Sequence, residues 1–268
     1  MRHNMNSFKP HLLILAILVL IAGCSNITTA ATSNTIQISS AGTIIYSAPL
    51  RHIDFETGDF SQVPPGDTHG DNGLSFPTIV TDRVHSGTYA AQCRLDNLSV
   101  SVASEIRMWG WSPETLPPLY YSFWIYVEAG YRAPAWNLIT EWNSPAPYYG
   151  ERHIDLCFAN NVARYNELYM NFYQLSWAPS YDIQSGVSLP TGQWVHFEIY
   201  FVTSMTNGLI QVEMDGNLIL EWRGRTQFEP TDGNTAIAWQ LDNYCGSACS
   251  PHSFWFDDIW IDYVSHSP

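Results

Sequence analysis

Residues 208–222 read GLIQVEMDGNLILEW, and this stretch decides the fold. Ile210, Val212 and Met214 alternate with Gln211 and Glu213, the period of two expected of a strand with one buried face. Asp215 and Gly216 then supply two residues that tolerate positive φ, the signature of a tight hairpin turn, before Asn217 to Trp222 runs back. Outward from this hairpin the pattern repeats. Tyr89 to Leu95, Val100 to Met108, Leu119 to Val127, Trp136 to Trp142, His153 to Phe158, Glu167 to Leu175, Trp194 to Val202, Thr235 to Leu241 and Phe254 to Tyr263 all read as strands between Gly, Pro, Asn and Asp. Almost no segment shows a helical period. So many short strands joined by short turns predict an all-β fold, a two-sheet antiparallel β-sandwich of jelly-roll kind.

The N-terminus is of a different kind. Arg2 and Lys9 precede the apolar run Leu12 to Ile21, and Ala22-Gly23-Cys24 closes it. A basic start, a short apolar segment and small residues before a cut describe a secretory signal. Leu20 to Cys24 (LIAGC) resembles the bacterial lipobox, which implies acylation of Cys24 and a membrane-anchored lipoprotein facing the periplasm or the cell exterior. Residues 24–45 are rich in Ser, Thr, Asn and Ala with almost no charge, and are expected to be a flexible tether. Residues 46–268 remain for one domain, expected as a monomer.

The chain contains 11 Trp, 15 Tyr and 12 Phe, residues that favour strands and also form flat platforms for sugar rings. Its formal net charge is −14, from 11 basic and 25 acidic residues; loss of Arg2 and Lys9 with the signal leaves 9 against 25, or −16. Lys9 is the only lysine. A nucleic-acid binder needs clustered Lys and Arg, so that class is excluded. The same field repels a polyanionic polysaccharide unless arginines concentrate in the binding groove. After Cys24 four cysteines remain, and in an exported protein an even number suggests disulfides. Cys245 and Cys249 are expected to close a small loop. Pairing of Cys93 with Cys157 depends on whether their Cβ vectors converge and stays open. None of the four has the paired CxxC spacing of a zinc site.

Four stretches resemble the concanavalin A-like jelly rolls, in particular the polysaccharide-lyase branch of heparin-lyase-like, glucuronan-lyase-like and alginate-lyase-like proteins. Residues 53–60 (IDFETGDF) resemble the opening strand and 84–91 (VHSGTYAA) the strand after it; 192–199 (GQWVHFEI) with 210–216 (IQVEMDG) resemble paired strands of the outer sheet, and 254–259 (FWFDDI) the closing strand. The resemblance implies a structural calcium ion held by Glu56 and by Asp258 or Asp257, where hard oxygen ligands meet. No catalytic cofactor is implied.

Residues 104–108 (SEIRM) resemble the alginate-lyase-like strand whose arginine faces the groove, which implicates Arg107. By alternation Glu105, Arg107 and Trp109 share one face. Residues 137–143 (NLITEWN) stand where the similar families carry a Gln and then a His; here Glu141 and Asn143 take those places, and His153 is the spatial substitute. Residues 238–244 (AWQLDNY) resemble the strand ending in a catalytic tyrosine, here Tyr244. β-Elimination requires neutralisation of a uronic carboxylate and a base within reach, roles that Arg107, Asn143, Tyr244 and His153 can fill; Glu141 would repel that carboxylate. A polysaccharide lyase is thus the expected activity. Two alternatives stay open. One is a glycoside hydrolase pairing Glu141 with Glu105 or Asp155. The other is a non-catalytic carbohydrate-binding module or surface lectin, with Trp109, Trp142, Tyr148, Tyr149, Tyr169 and Tyr173 as stacking platforms and Glu105 as a polar contact.

Overall fold

A computed structural model of the chain describes residues 36–38, 44–46, 50–63, 68–70, 76–96, 102–111, 118–143, 153–161, 163–173, 182–227, 237–246 and 249–267. The stretch read as a secretory signal and Cys24 lie outside the described residues. Among these residues no helix is long and apolar enough to cross a membrane. Within the stretch read as a tether, β1 (Ile36–Ile38) pairs with β2 (Ile44–Tyr46) as a two-stranded sheet of its own.

The rest forms two antiparallel sheets. The first contains β4 (Thr68–Gly70), β7 (Val102–Trp111), β9 (Trp136–Asn143), β10 (His153–Ala159), β11 (Glu167–Tyr173), β12 (Ile183–Ser188) and β16 (Ile237–Cys245), in the order β12-β11-β10-β9-β16-β7-β4. The second contains β5 (Thr78–Val80), β6 (Ala90–Leu95), β8 (Leu119–Val127), β13 (Trp194–Val202), β14 (Gly208–Met214), β15 (Asn217–Gly224) and β17 (His252–Asp262), in the order β15-β14-β13-β8-β17-β6-β5. A last strand, β3 (Arg51–Ile53), pairs with β17. The hairpin of β14 and β15 turns at Asp215 and Gly216 with φ of 49° and 73°, the left-handed conformation that the sequence predicts there.

Alternation explains the core. Ile106 and Met108 from β7, Trp142 from β9, Ile154, Leu156 and Phe158 from β10, and Trp239 and Leu241 from β16 face inward from the first sheet. They meet Phe123 and Ile125 of β8, Phe197 and Ile199 of β13, and Phe254 and Phe256 of β17. Large apolar side chains from both sheets thus leave water together, which is what holds a sandwich closed. The opposite face of the first sheet is left for polar residues.

Two of the bulges lie beside polar residues singled out in the sequence. Between β9 and β10 the register passes from Leu156 opposite Thr140 to Cys157 opposite Leu138, so Ile139 is the extra residue, two positions before Glu141. In β17 the pairing with β8 shifts between Asp257 and Trp260, and Asp258 takes a φ of 46°.

Candidate active site

The outward face of the first sheet carries a cavity of about 540 Å³. Its walls come from five strands that are distant in the chain. Glu105 and Arg107 rise from β7, Tyr244 from β16, Trp136, Leu138 and Glu141 from β9, His153, Asp155 and Cys157 from β10, and Tyr169, Asn171 and Tyr173 from β11; Asp182 closes one side. Strand register makes this convergence. Arg107 lies opposite Gln240, Gln240 opposite Glu141, Glu141 opposite Asp155, and Asp155 opposite Asn171, one lateral row of polar side chains. A neighbouring row sets Asn143 opposite His153 and His153 opposite Tyr173. Directly opposed residues bring their Cβ atoms to about 4.5–5.5 Å, so each row is a chain of contacts.

The hydrogen bonds follow the rows. Arg107 Nε donates to Glu105 Oε2 at 2.5 Å. Glu141 Oε1 accepts from both Asn143 Nδ2 and Gln240 Nε2, and Gln240 Nε2 also reaches Asp242 Oδ1 at 3.0 Å. His153 Nδ1 lies 2.5 Å from Asp155 Oδ1 and 3.5 Å from Glu141 Oε2, while its ring stacks on Tyr173 with centroids 4.5 Å apart. Asn171 Nδ2 donates to Asp182 Oδ1 at 2.7 Å. Trp136 meets Tyr244 edge-on at 5.2 Å.

Electrostatics set this face apart from an ordinary solvated one. Burial, and then the charge of Asp155, push Glu141 up to about 8 from a carboxyl's usual range. Burial also raises Asp155. Asp242 is raised well above its ordinary value by burial, then by Glu105 and Glu141, with partial relief from Arg107. For His153 burial lowers the pKa, but Asp155 and Glu141 outweigh it and the net direction is upward. Glu141, pushed up this far, retains its proton near neutrality, the condition under which an acid and a base coexist in one site.

The structure brings together most of the residues singled out in the sequence. Arg107, Glu141, His153 and Tyr244 line the one cavity, as do Glu105, Tyr169 and Tyr173. Asn143 shares their face through its bond to Glu141. Trp109 belongs to β7, and Tyr148 and Tyr149 lie outside the described residues. Trp142 is a correction. It is 1% exposed, packs edge-on to Tyr121 and sits in the core between the sheets. Its neighbour Glu141 faces the groove, and adjacent strand residues point to opposite faces. Asn171, Asp182 and Trp136 are cavity residues that the sequence does not single out. Gln240 and Asp242 on the Tyr244 face of β16 escape notice as well, although simple alternation back from Tyr244 finds both.

The cysteines also need correction. Cys245 and Cys249 are free thiols rather than a disulfide. They adjoin in an apolar cluster with Leu95 and Val102, where burial pushes the Cys249 thiol up to about 12. That pocket holds the protonated form, and the disulfide-forming thiolate is disfavoured there. Cys93 and Cys157 are free as well: Cys93 packs in the main core, whereas Cys157 belongs to a separate cluster with Leu138 and Tyr169 at the cavity floor.

Away from the cavity, Glu56 and Asp258 both engage residues 85–89. Glu56 Oε1 accepts from the backbone N–H groups of Thr88 and Tyr89 at 2.8 and 3.0 Å. Asp258 takes the His85 ring at 2.7 Å and the Ser86 hydroxyl at 3.1 Å, and Asp257 Oδ2 accepts from the His85 and Ser86 N–H groups. Two carboxylates from opposite ends of the domain therefore converge on one loop. The left-handed Phe55 and Asp258 beside them turn the chain toward that loop.

No protein-family model matches the chain, and no curated protein matches it. Solved structures do. The endo-β-1,4-glucuronan lyase from the fungus Trichoderma reesei is similar over 82% of this chain and 98% of its own, with a TM-score of 0.63 and 14% identity. Cellulose-induced protein Cip1 is similar over 80% and 97%, with a TM-score of 0.52 and 19% identity. The alginate lyase vAL-1 from Chlorella virus is similar over 80% and 99%, with a TM-score of 0.53 and 10% identity. At these identities the likeness concerns architecture: this chain is an all-β jelly-roll sandwich with the fold of polysaccharide lyases.

Proposed function

We propose that the protein is an extracellular polysaccharide lyase that cleaves a uronic-acid polymer by β-elimination. The observation that carries this reading is the convergence of Arg107, Glu141, His153 and Tyr244, from four strands, on one cavity in a lyase-like fold. Arg107 faces the uronate carboxylate and stabilises the charge that develops when the adjacent C–H is broken. Tyr244 handles the proton at that carbon and at the leaving oxygen, steadied by the edge of Trp136. His153, hydrogen-bonded to Asp155, is the second proton-handling group. Tyr173 and Tyr169 offer ring surface to a sugar.

The test is incubation of the purified protein with a panel of uronic-acid polymers while the ultraviolet absorbance of unsaturated ends is followed. Tyr244→Phe should lose activity by at least about 100-fold and keep polymer binding. Undiminished activity in that variant removes Tyr244 from the mechanism. A second reading rests on Glu141, whose proton is retained near neutrality beside Asp155, the acid–carboxylate pairing of a glycoside hydrolase. New reducing ends without unsaturated products would favour it, and binding without cleavage would favour a sugar-binding module.

Export and anchoring belong to the same proposal. Incorporation of labelled fatty acid that is lost in Cys24→Ser checks the anchor, and its persistence in that variant overturns it. A structural calcium ion at Glu56 and Asp258 would take its remaining oxygens from backbone carbonyls and pin β3 to β17. Chelation should lower the melting temperature of wild type and leave Glu56→Ala unresponsive. An unchanged wild-type melting curve excludes the ion.

A further inference from the structure

We infer that Glu141, His153 and Asp155 form a binding site for a divalent transition cation inside the groove. The inference deepens the lyase reading and rests on it for the cation's role, though not for its binding. Among the described residues these three present ligand atoms that all lie within 4.8 Å of one another. Two carboxylates and one imidazole suit a cation of borderline hardness such as Mn²⁺ or Zn²⁺. A metal with bonds of about 2.0–2.2 Å to each needs only small side-chain adjustment.

Two further observations point to a cation. Asn143 is 0% exposed, donates its Nδ2 to Glu141 and stands opposite His153 in the register, yet its Oδ1 has no hydrogen-bond partner among the described residues. An orphaned, fully buried amide oxygen beside the cluster is costly unless something electropositive faces it. The second observation is charge. Among the described residues Glu105, Glu141, Asp155, Asp182 and Asp242 share the face with one arginine, and Arg107 is already bound to Glu105. Wherever these carboxyl groups are ionised, the face repels the uronate it would have to bind. A cation held by Glu141, His153 and Asp155 reverses the local sign and offers a coordination position to the substrate carboxylate. On cation uptake the proton shared by His153 and Asp155 and the proton held by Glu141 both leave to solvent, and Tyr244 is then the group that moves the substrate proton.

Mn²⁺ alone is the probe. The full-length protein, stripped with chelator and freed of it, is titrated with Mn²⁺ near pH 7.5 by calorimetry and by electron paramagnetic resonance, beside Asp155→Asn and His153→Gln. One site in wild type that weakens at least tenfold in both variants, with their far-ultraviolet spectra unchanged, is the expected result. Absence of binding in wild type, or equal binding in all three proteins, overturns the site. Mn²⁺ binding lost in the variants supports the site even if no polymer yields unsaturated ends, an outcome that counts against the lyase reading alone. Unsaturated ends from stripped protein that takes up no Mn²⁺ overturn the site and leave the lyase reading standing.

Discussion

Gly246, the residue after β16, is where a single methyl group should separate groove geometry from stability. Its N–H donates to the Trp136 carbonyl at 3.3 Å, and the indole of Trp136 lies against its α-carbon. A Cβ at Gly246 would fall 2.1 Å from Trp136 Cε2, 2.2 Å from Cζ2 and 2.5 Å from Nε1. Relief to an ordinary contact of about 3.4 Å requires the rigid ring to retreat by more than an ångström. That ring lines the cavity and steadies Tyr244, so Gly246→Ala moves both. Overpacking of this kind costs about 1–3 kcal/mol, or up to about 10 °C in melting temperature for a domain of this size. A displacement of about 1 Å at a catalytic group costs up to about 100-fold in rate, well beyond what such destabilisation does to a folded enzyme. The expected result is therefore a roughly 10- to 100-fold fall in kcat/KM for release of unsaturated ends, a shifted tryptophan emission and a native far-ultraviolet spectrum. Gly130→Ala is the control. Its φ is +77° and its Cβ would touch nothing, so it carries backbone strain without disturbing the groove. Equal activity in Gly246→Ala and wild type, with the emission shift present, would refute the assignment of Trp136 and Tyr244 to the reacting site.

Three further outcomes are expected. Trp142→Ala should lose about 3–5 kcal/mol of stability through the cavity it leaves, while the folded fraction keeps its polymer affinity; lost affinity at full stability would return Trp142 to the groove. His252 is lowered by burial and stacks on Tyr131 at 4.0 Å, so the folded state keeps it neutral while the unfolded chain protonates it below about 6.5. Its stabilising contribution is complete above that pH and is lost as pH falls, so the advantage of wild type over His252→Gln in urea midpoints should shrink between about pH 7.5 and 5. A pH-independent gap would contradict this. Cys93, Cys157, Cys245 and Cys249 should all stay unreactive to a thiol reagent in the native protein and all titrate after denaturation. Only two reactive thiols in the denatured, unreduced protein would reinstate a disulfide.

Sequence reached the fold because alternation and turn chemistry agree along the chain. Leu119–Val127, Trp194–Val202 and Gly208–Met214 have the same bounds in sequence and structure. β12 was invisible because Ile183–Ser188 is short and contains Gly186 at a φ of +72°. In the site, alternation correctly grouped Glu105 with Arg107 and His153 with Asp155. That grouping does not extend to Trp142, whose parity, opposite to that of Glu141, puts it on the inward face whatever its residue type, or to positions where a bulge changes parity. Leu138 and Glu141 are three residues apart and still line the same cavity, because Ile139 is an extra residue relative to β10. No local pattern announces that, since a bulge is a property of two strands in register.

What the bulge accomplishes bears on function. It turns Glu141 toward Asp155, on the face where β7 and β16 present two more buried carboxyls, Glu105 and Asp242. A sheet face evolved only to be stable would not gather these groups around Arg107, because each loses hydration and raises the free energy of its neighbours in the charged state. Apolar residues of similar volume would be more stable there. Ile106 and Leu241 on the inward face of the same sheet pack against an apolar core, so the crowded carboxyl groups belong to its outward face. On the proposed function, a ligand that engages these carboxyl groups, whether a hydroxylated sugar, a cation or both, would offset the cost of their burial on the seven-stranded sheet.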